Sequence, residues 1–164
     1  MSDRLITGLI LLTALGTGLI AGAFFAFSTF VMRALARLPA PQGIAAMQSI
    51  NIVVINPIFL GTLFGTALAC IALVVASVLG WGEPRAFYLL AGGLLYLVGT
   101  VLVTMIFNVP RNDALAAVDP GSTEAATLWA RYVSEWTMWN HVRTVAALAA
   151  AAAFIFALCL PEAK

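Results

Sequence analysis

Between Trp136 and Arg143 the chain places its one histidine, His141, together with Trp136, Trp139, Asn140 and Arg143, at the entrance to an apolar run. Elsewhere the uncharged hydrogen-bonding side chains also gather at the ends of apolar segments. Asn51 and Asn56 open one segment, Asn108 and Asn112 close another, and Asn140, His141 and Arg143 open the last. A polar group at the edge of hydrocarbon is costly unless it is satisfied, so this gathering points to a lined cavity. Interfacial anchoring and helix capping are the alternative. Neutral donors and acceptors, one cation and one imidazole beside aromatic rings suit a flat phenolic or quinone-like molecule. Arg143 would stabilise an oxyanion and His141 would move a proton.

At about 100° per residue, Trp129, Tyr132, Trp136, Trp139, Asn140 and Arg143 project within about one 100° face of a helix. Ala147, Ala150 and Phe154 continue that face, so one stripe runs aromatic, then polar, then small. His141 points about 100° away from the edge of the stripe, where a histidine serves as an interhelical hydrogen-bonder as readily as a base.

Other chemistries lack their residues. A metal site needs several converging donors. Here Cys70 and Cys159 fall in different apolar runs, and Asp113, Asp119, Glu124 and Glu135 are confined to the third loop and its helical end. No metal and no cofactor is therefore expected. There is no glycine-rich phosphate loop, nucleophile elbow or catalytic carboxylate pair. No acidic residue sits mid-span to couple ion transport. Net charge is +1 with no basic block, so nucleic acid is not an expected partner.

The elements that must position these residues follow from composition. The chain is 63% hydrophobic and 9% charged, and residues 5–32, 38–82, 86–110 and 144–160 carry no charged side chain. Crossing hydrocarbon takes roughly 20 apolar residues. The expectation is an all-α, integral membrane four-helix bundle, a single transmembrane domain over 1–164. Its helices lie near 5–32, 51–80, 86–108 and 138–160, with a partly helical loop between the third and fourth. Ala21 to Ala23 resembles a signal-peptide cleavage site, but the apolar stretch continues through Met32, too long for a signal core. The protein is expected in the plasma membrane, or the inner membrane of a bacterium, with lipid around it.

Four spans put both termini on one side. Arg4, Arg85 and Lys164 then face Arg33, Arg37, Arg111, Arg131 and Arg143, which places the two longer loops in the cytoplasm. If Arg111 and Arg143 belong to a site, the counts are equal and orientation is undetermined.

Gly18 and Gly22 in the first helix, and Gly61 and Gly65 in the second, form flat ridges of the kind that let backbones approach in lipid. They are expected to pack helix on helix within the chain, with a homo-oligomer interface as the alternative. The cluster Phe24, Phe25, Phe27 and Phe30 is expected to face lipid or core rather than a substrate. Pro57 either kinks the second helix or marks its first turn, leaving Asn56 to cap or to join the cavity wall as a substrate contact. Pro110 disfavours helix at Val109, so the third helix should end there with Asn108 and Asn112 as caps.

A phenylalanine-rich first helix with Gly18 and Gly22, Met47 to Asn51, Asn56-Pro57, Asn108-x-Pro110-x-Asn112 and Trp136-x-x-Trp139-Asn140-His141-x-Arg143 resemble, in that order, the small four-helix membrane proteins grouped with the anthrone oxygenases. The last two motifs are the specific part. The resemblance implies conversion of an anthrone to an anthraquinone with molecular oxygen and no bound metal or flavin. It implies deprotonation to an enolate, electron transfer to oxygen, and collapse through a peroxide. His141 would be the proton acceptor and Arg143 the enolate partner. Asn51, Asn108, Asn112 and Asn140 would orient the substrate, and Trp136 and Trp139 would form a stacking wall. Arg111, between motif positions, is not carried over. The rival readings are a non-catalytic membrane protein that binds or helps export small hydrophobic aromatic compounds, and a structural or assembly protein.

Overall fold

In hydrocarbon every backbone amide and carbonyl must find its partner inside the chain, which leaves an apolar segment little choice but helix. The structure, a computed structural model, describes residues 3–160; the termini used to judge orientation lie outside them. Helices α1 (Arg4–Leu35), α3 (Pro57–Leu79), α4 (Ala86–Ala116) and α5 (Ala125–Cys159) are long and apolar enough to cross a membrane. A shorter helix, α2 (Ala40–Val53), lies between the first two. No strand occurs among the described residues. Around the bundle, α1 packs against α3 and α5, and α4 closes the ring between those two.

Three boundaries differ from expectation. The second span starts at Pro57, not near 51, because Asn56 is extended (φ −130°, ψ 158°) and its Oδ1 accepts the amides of Ile58 and Phe59 at 3.1 and 3.0 Å. Proline at the next position disfavours helix at Asn56 and donates nothing itself, so the chain breaks there and α2 becomes a separate element. The third span does not stop at Asn108; it runs through Pro110 to Ala116. Two π-helical stretches, Leu97–Leu102 and Thr104–Asn108, precede the proline. A wider turn shifts the hydrogen-bond register, so the ring need not displace a paired carbonyl. The fourth helix begins at Ala125 rather than near 138 and is 35 residues long. Much of the expected loop is its first four turns.

At 1.5 Å per residue α5 is roughly 50 Å long, well beyond the ~30 Å of hydrocarbon. The bundle accordingly has two storeys. The apolar storey packs Ile10, Ile20, Phe24, Leu63, Leu73, Leu89, Tyr96 and Phe154, with the Tyr96 hydroxyl donating to the Leu63 carbonyl at 3.1 Å. The second storey packs Met32, Ile44, Met47, Leu115, Trp129, Tyr132 and Trp136 from the ends of α1, α4 and α5 with α2. Gln48 pins α2 in place by donating from Nε2 to the Leu115 and Val118 carbonyls at 2.9 and 3.0 Å. Glu135 is gripped by Arg111 at 2.8 Å and Arg131 at 2.7 Å, joining α4 to α5.

The glycine ridges do not pack within the chain. A Cβ at Gly18, Gly22, Gly61 or Gly65 would meet open space. Close approach is made elsewhere. Gly16 lies against Thr66, Gly92 against the Phe154 ring, Gly93 against Val74, and Gly99 against Ala146. Spacing identifies a smooth stripe but not the direction it faces. Gly99→Ala should therefore cost about 1–3 kcal/mol through overpacking, read by thermal unfolding in detergent, whereas Gly65→Ala should leave the midpoint unchanged or slightly raised.

Candidate functional site

A cavity of about 830 Å³ sits at the junction of the two storeys, within the size range of small-molecule sites. Each helix contributes residues at helical spacing. These are Ala23, Phe24 and Phe27 of α1; Met47, Gln48 and Asn51 of α2; Phe59, Leu60, Leu63 and Phe64 of α3; Val101, Thr104, Met105, Val109, Asn112, Asp113 and Ala116 of α4; and Trp136 and Arg143 of α5. The mouth opens sideways. Ile55 at 69%, Met105 at 58% and Phe64 at 46% exposure belong both to the lining and to the outer surface, so the mouth is rimmed by apolar side chains.

Arg143 is 4% exposed. Its guanidinium lies 4.1 Å from the Phe24 ring centroid and 5.1 Å from that of Trp136, an arrangement in which two π faces offset part of the desolvation. Nη2 donates to Asn140 Oδ1 at 2.6 Å and Nη1 to Thr104 Oγ1 at 3.2 Å, while Nε is buried with no partner. All of these partners are neutral. Among the described residues no carboxylate forms an ion pair with Arg143.

Behind it, Asn140 is fully buried and donates from Nδ2 to the Phe24 carbonyl and to Ser28 Oγ, both at 2.7 Å. Ser28 also lies 3.0 Å from the Thr144 hydroxyl. This network draws on π-helical turns in two helices, Phe27–Val31 of α1 for Ser28 and Thr104–Asn108 of α4 for Thr104. Such turns widen a helix locally, which makes room for a wall that must surround a large cation. Asn112 Oδ1 accepts from both Trp136 Nε1 at 2.8 Å and the Tyr132 hydroxyl at 2.9 Å. Asn51 lies beside Tyr132, yet its Nδ2 is buried with no partner.

Of the residues singled out from sequence, Arg143, Trp136, Asn112 and Asn51 line this cavity. The others do not. Asn140 sits behind Arg143 and holds it. Asn108 is a strut, donating to the Trp136 carbonyl at 3.2 Å with its Oδ1 buried and unpartnered. Asn56 caps α3, with its Nδ2 turned back on the Val53 carbonyl. Trp139 is spent on Phe107, stacked at 3.5 Å between centroids. His141 is exposed on another face of α5, beside a smaller pocket with Arg33 and Thr137. One turn of helix carries both Trp139 and Asn140, and a stripe about 100° wide spans more than one neighbour. Only the depth of packing separates the cavity wall from its flank.

Thr104 and Asp113 line the cavity without any signal drawn from the sequence; Phe24 is buried in the core, as expected, and with Phe27 also lines the cavity. Asp113 follows Asn112 and would have been found by continuing the helix through Pro110. No group of three or more His, Cys, Asp or Glu side chains converges among the described residues.

Two substitutions separate cap and network from cavity wall. Asn56→Ala should cost about 1 kcal/mol of stability, as loss of an N-cap does, and leave ligand binding unchanged. Asn140→Ala should cost about 1–3 kcal/mol by stripping buried donors and acceptors of partners and also weaken binding, because Arg143 is released. Thermal unfolding and titration calorimetry on the same preparations check both.

The sequence model of a family described as anthrone oxygenase matches residues 57–153. That stretch includes Thr104, Asn112, Asp113, Trp136 and Arg143, and leaves out α1 and α2 with Gln48 and Asn51. No curated protein and no solved structure matches the chain. With more than half of its length matched, and with four apolar helices around a cavity of aromatic and polar residues, the chain belongs to the anthrone oxygenase family.

Proposed function

We propose that the protein is a membrane-bound, cofactor-independent oxygenase of a polycyclic or phenolic substrate that becomes anionic during the reaction. The observation that carries this reading is Arg143, a buried cation with neutral partners and an unpartnered Nε in the wall of an apolar cavity. A buried charge without a counter-charge is costly. An enolate or phenolate in the cavity supplies the missing partner, and Arg143 is worth most when that charge develops.

The chemistry balances on the substrate and oxygen alone. A methylene carbon flanked by aryl rings and conjugated to a carbonyl loses a proton and becomes an enolate held by Arg143. The enolate gives one electron to oxygen, and the radical pair joins in a carbon–oxygen bond to give a hydroperoxide. Loss of the remaining proton at that carbon breaks the oxygen–oxygen bond and releases water, leaving a ketone. One methylene and one dioxygen become one carbonyl and one water. Phe24, Phe27 and Trp136 offer faces for the rings, Asn51 and Asn112 orient oxygens, and the sideways mouth admits a substrate dissolved in lipid. The proton acceptor in this reading is Asp113, the carboxylate in the lining. His141, outside the cavity, has no part in it.

Oxygen uptake by purified protein with a panel of anthrones and hydroquinones tests the reading. Arg143→Ala should lower turnover about one hundred- to one thousandfold with a much smaller change in substrate affinity, and Arg143→Lys should recover part of the loss. Asp113→Asn should slow turnover, while His141→Ala keeps it. Tight binding with no oxygen consumed by the wild type would sink the enzyme and leave a binding or export accessory. Full activity in Arg143→Ala would sink the role given to that residue.

A further inference from the structure

His141, displaced from the cavity, belongs to a second pocket of about 360 Å³ between α1 and α5. Five of its lining residues are polar: Ser28, Arg33, Ser134, Thr137 and His141. No carboxylate lines it, and neighbouring Glu135 is held by Arg111 and Arg131. Every side chain in that set except Arg33 can donate and accept, and Arg33 contributes a fixed positive charge.

Thr137 supplies a second, independent observation. Thr13, Thr17, Thr29, Thr62, Thr104 and Thr144 each donate to the carbonyl four residues earlier, the usual way a threonine hydroxyl is satisfied in an apolar helix. Thr137 makes no such bond; its Oγ1 is buried with no partner. A buried hydroxyl left unpaired costs free energy that an acceptor in the pocket restores.

Position decides the occupant. Arg33 ends the charge-free run 5–32 and His141 stands just before the run 144–160, so the pocket lies where the chain leaves hydrocarbon. Lipid phosphates occupy that level, and a basic pocket between helices on the arginine-rich side suits an anionic headgroup. We infer that the Arg33–Thr137–His141 pocket binds the phosphate of an anionic phospholipid. Arg33 pairs with the phosphate charge, and His141 and Thr137 donate to its oxygens. Ser28 lines this pocket and also accepts from Asn140, which holds Arg143, so the bound lipid braces the side of the network opposite the cavity.

The test uses the detergent-solubilised full chain and counts retained lipid by native mass spectrometry. The probes are phosphatidylglycerol, phosphatidylcholine of matched chains, and inorganic phosphate as competitor. The wild type should retain one phosphatidylglycerol in preference to phosphatidylcholine, undiminished by inorganic phosphate. Arg33→Ala should weaken that binding roughly tenfold, the scale of one lost charge-assisted contact. Thr137→Val, which preserves shape, should weaken it by a smaller factor without altering the thermal midpoint measured in lipid-free detergent. Displacement by inorganic phosphate would make the ligand a soluble anion and overturn the lipid assignment. Equal retention in the wild type and Arg33→Ala, or no preference for the anionic lipid, would overturn the site itself.

Discussion

A desolvated guanidinium that no carboxylate among the described residues pairs with is the constraint around which the middle of this molecule is built. Arg143 is buried against two aromatic rings, with one nitrogen on Asn140, one on Thr104 and the third unpartnered. Neutral acceptors and π faces reduce the cost of burying that charge but do not cancel it. Its neutral partners distinguish it from Glu135, whose charge is taken up twice over by Arg111 and Arg131. Both ion centres sit on the same helix two turns apart. One ties the bundle together and the other has no ion-pair partner among the described residues.

Holding that cation requires irregularity in two neighbouring helices. Ser28 and Thr104, which reach the network from α1 and α4, each lie in a π-helical turn. These wider turns swell the helix at the level of the cavity and return to ordinary α-helix beyond it. The same irregularity lets α4 continue through Pro110, which carries Asn112 and Asp113 over the cavity. Asn112 then accepts from Trp136 and Tyr132, so the aromatic residues of the second storey are oriented by the helix that the proline was expected to end.

The two-storey arrangement also explains why the cavity is open to the side. α3 is the shortest of the four long helices, because Asn56 and Pro57 start it late, and α2 fills the level that α3 leaves empty. A short helix beside three long ones leaves a gap at its end. Ile55, Phe64 and Met105 rim that gap with apolar side chains.

Four helices, their apolar character and the residues worth watching were all legible from sequence, since each depends on local composition. A charge-free run long enough to span hydrocarbon has one backbone solution, and Arg143, Asn112, Asn51 and Trp136 stood out because polar groups are rare in such a chain. The family resemblance carried by the motifs from Asn108 and Trp136 rested on the same residues. Periodicity placed Asn140 and Trp139 on the same stripe as Arg143, but a stripe has flanks, and only packing showed that one braces the arginine and the other stacks on Phe107. Tertiary structure likewise decided that Asn56 caps, that His141 faces a different pocket, and that the outward glycines are not those in contact. Each of these depends on which neighbour lies across a helix face, and a single chain's sequence encodes the face without naming the neighbour.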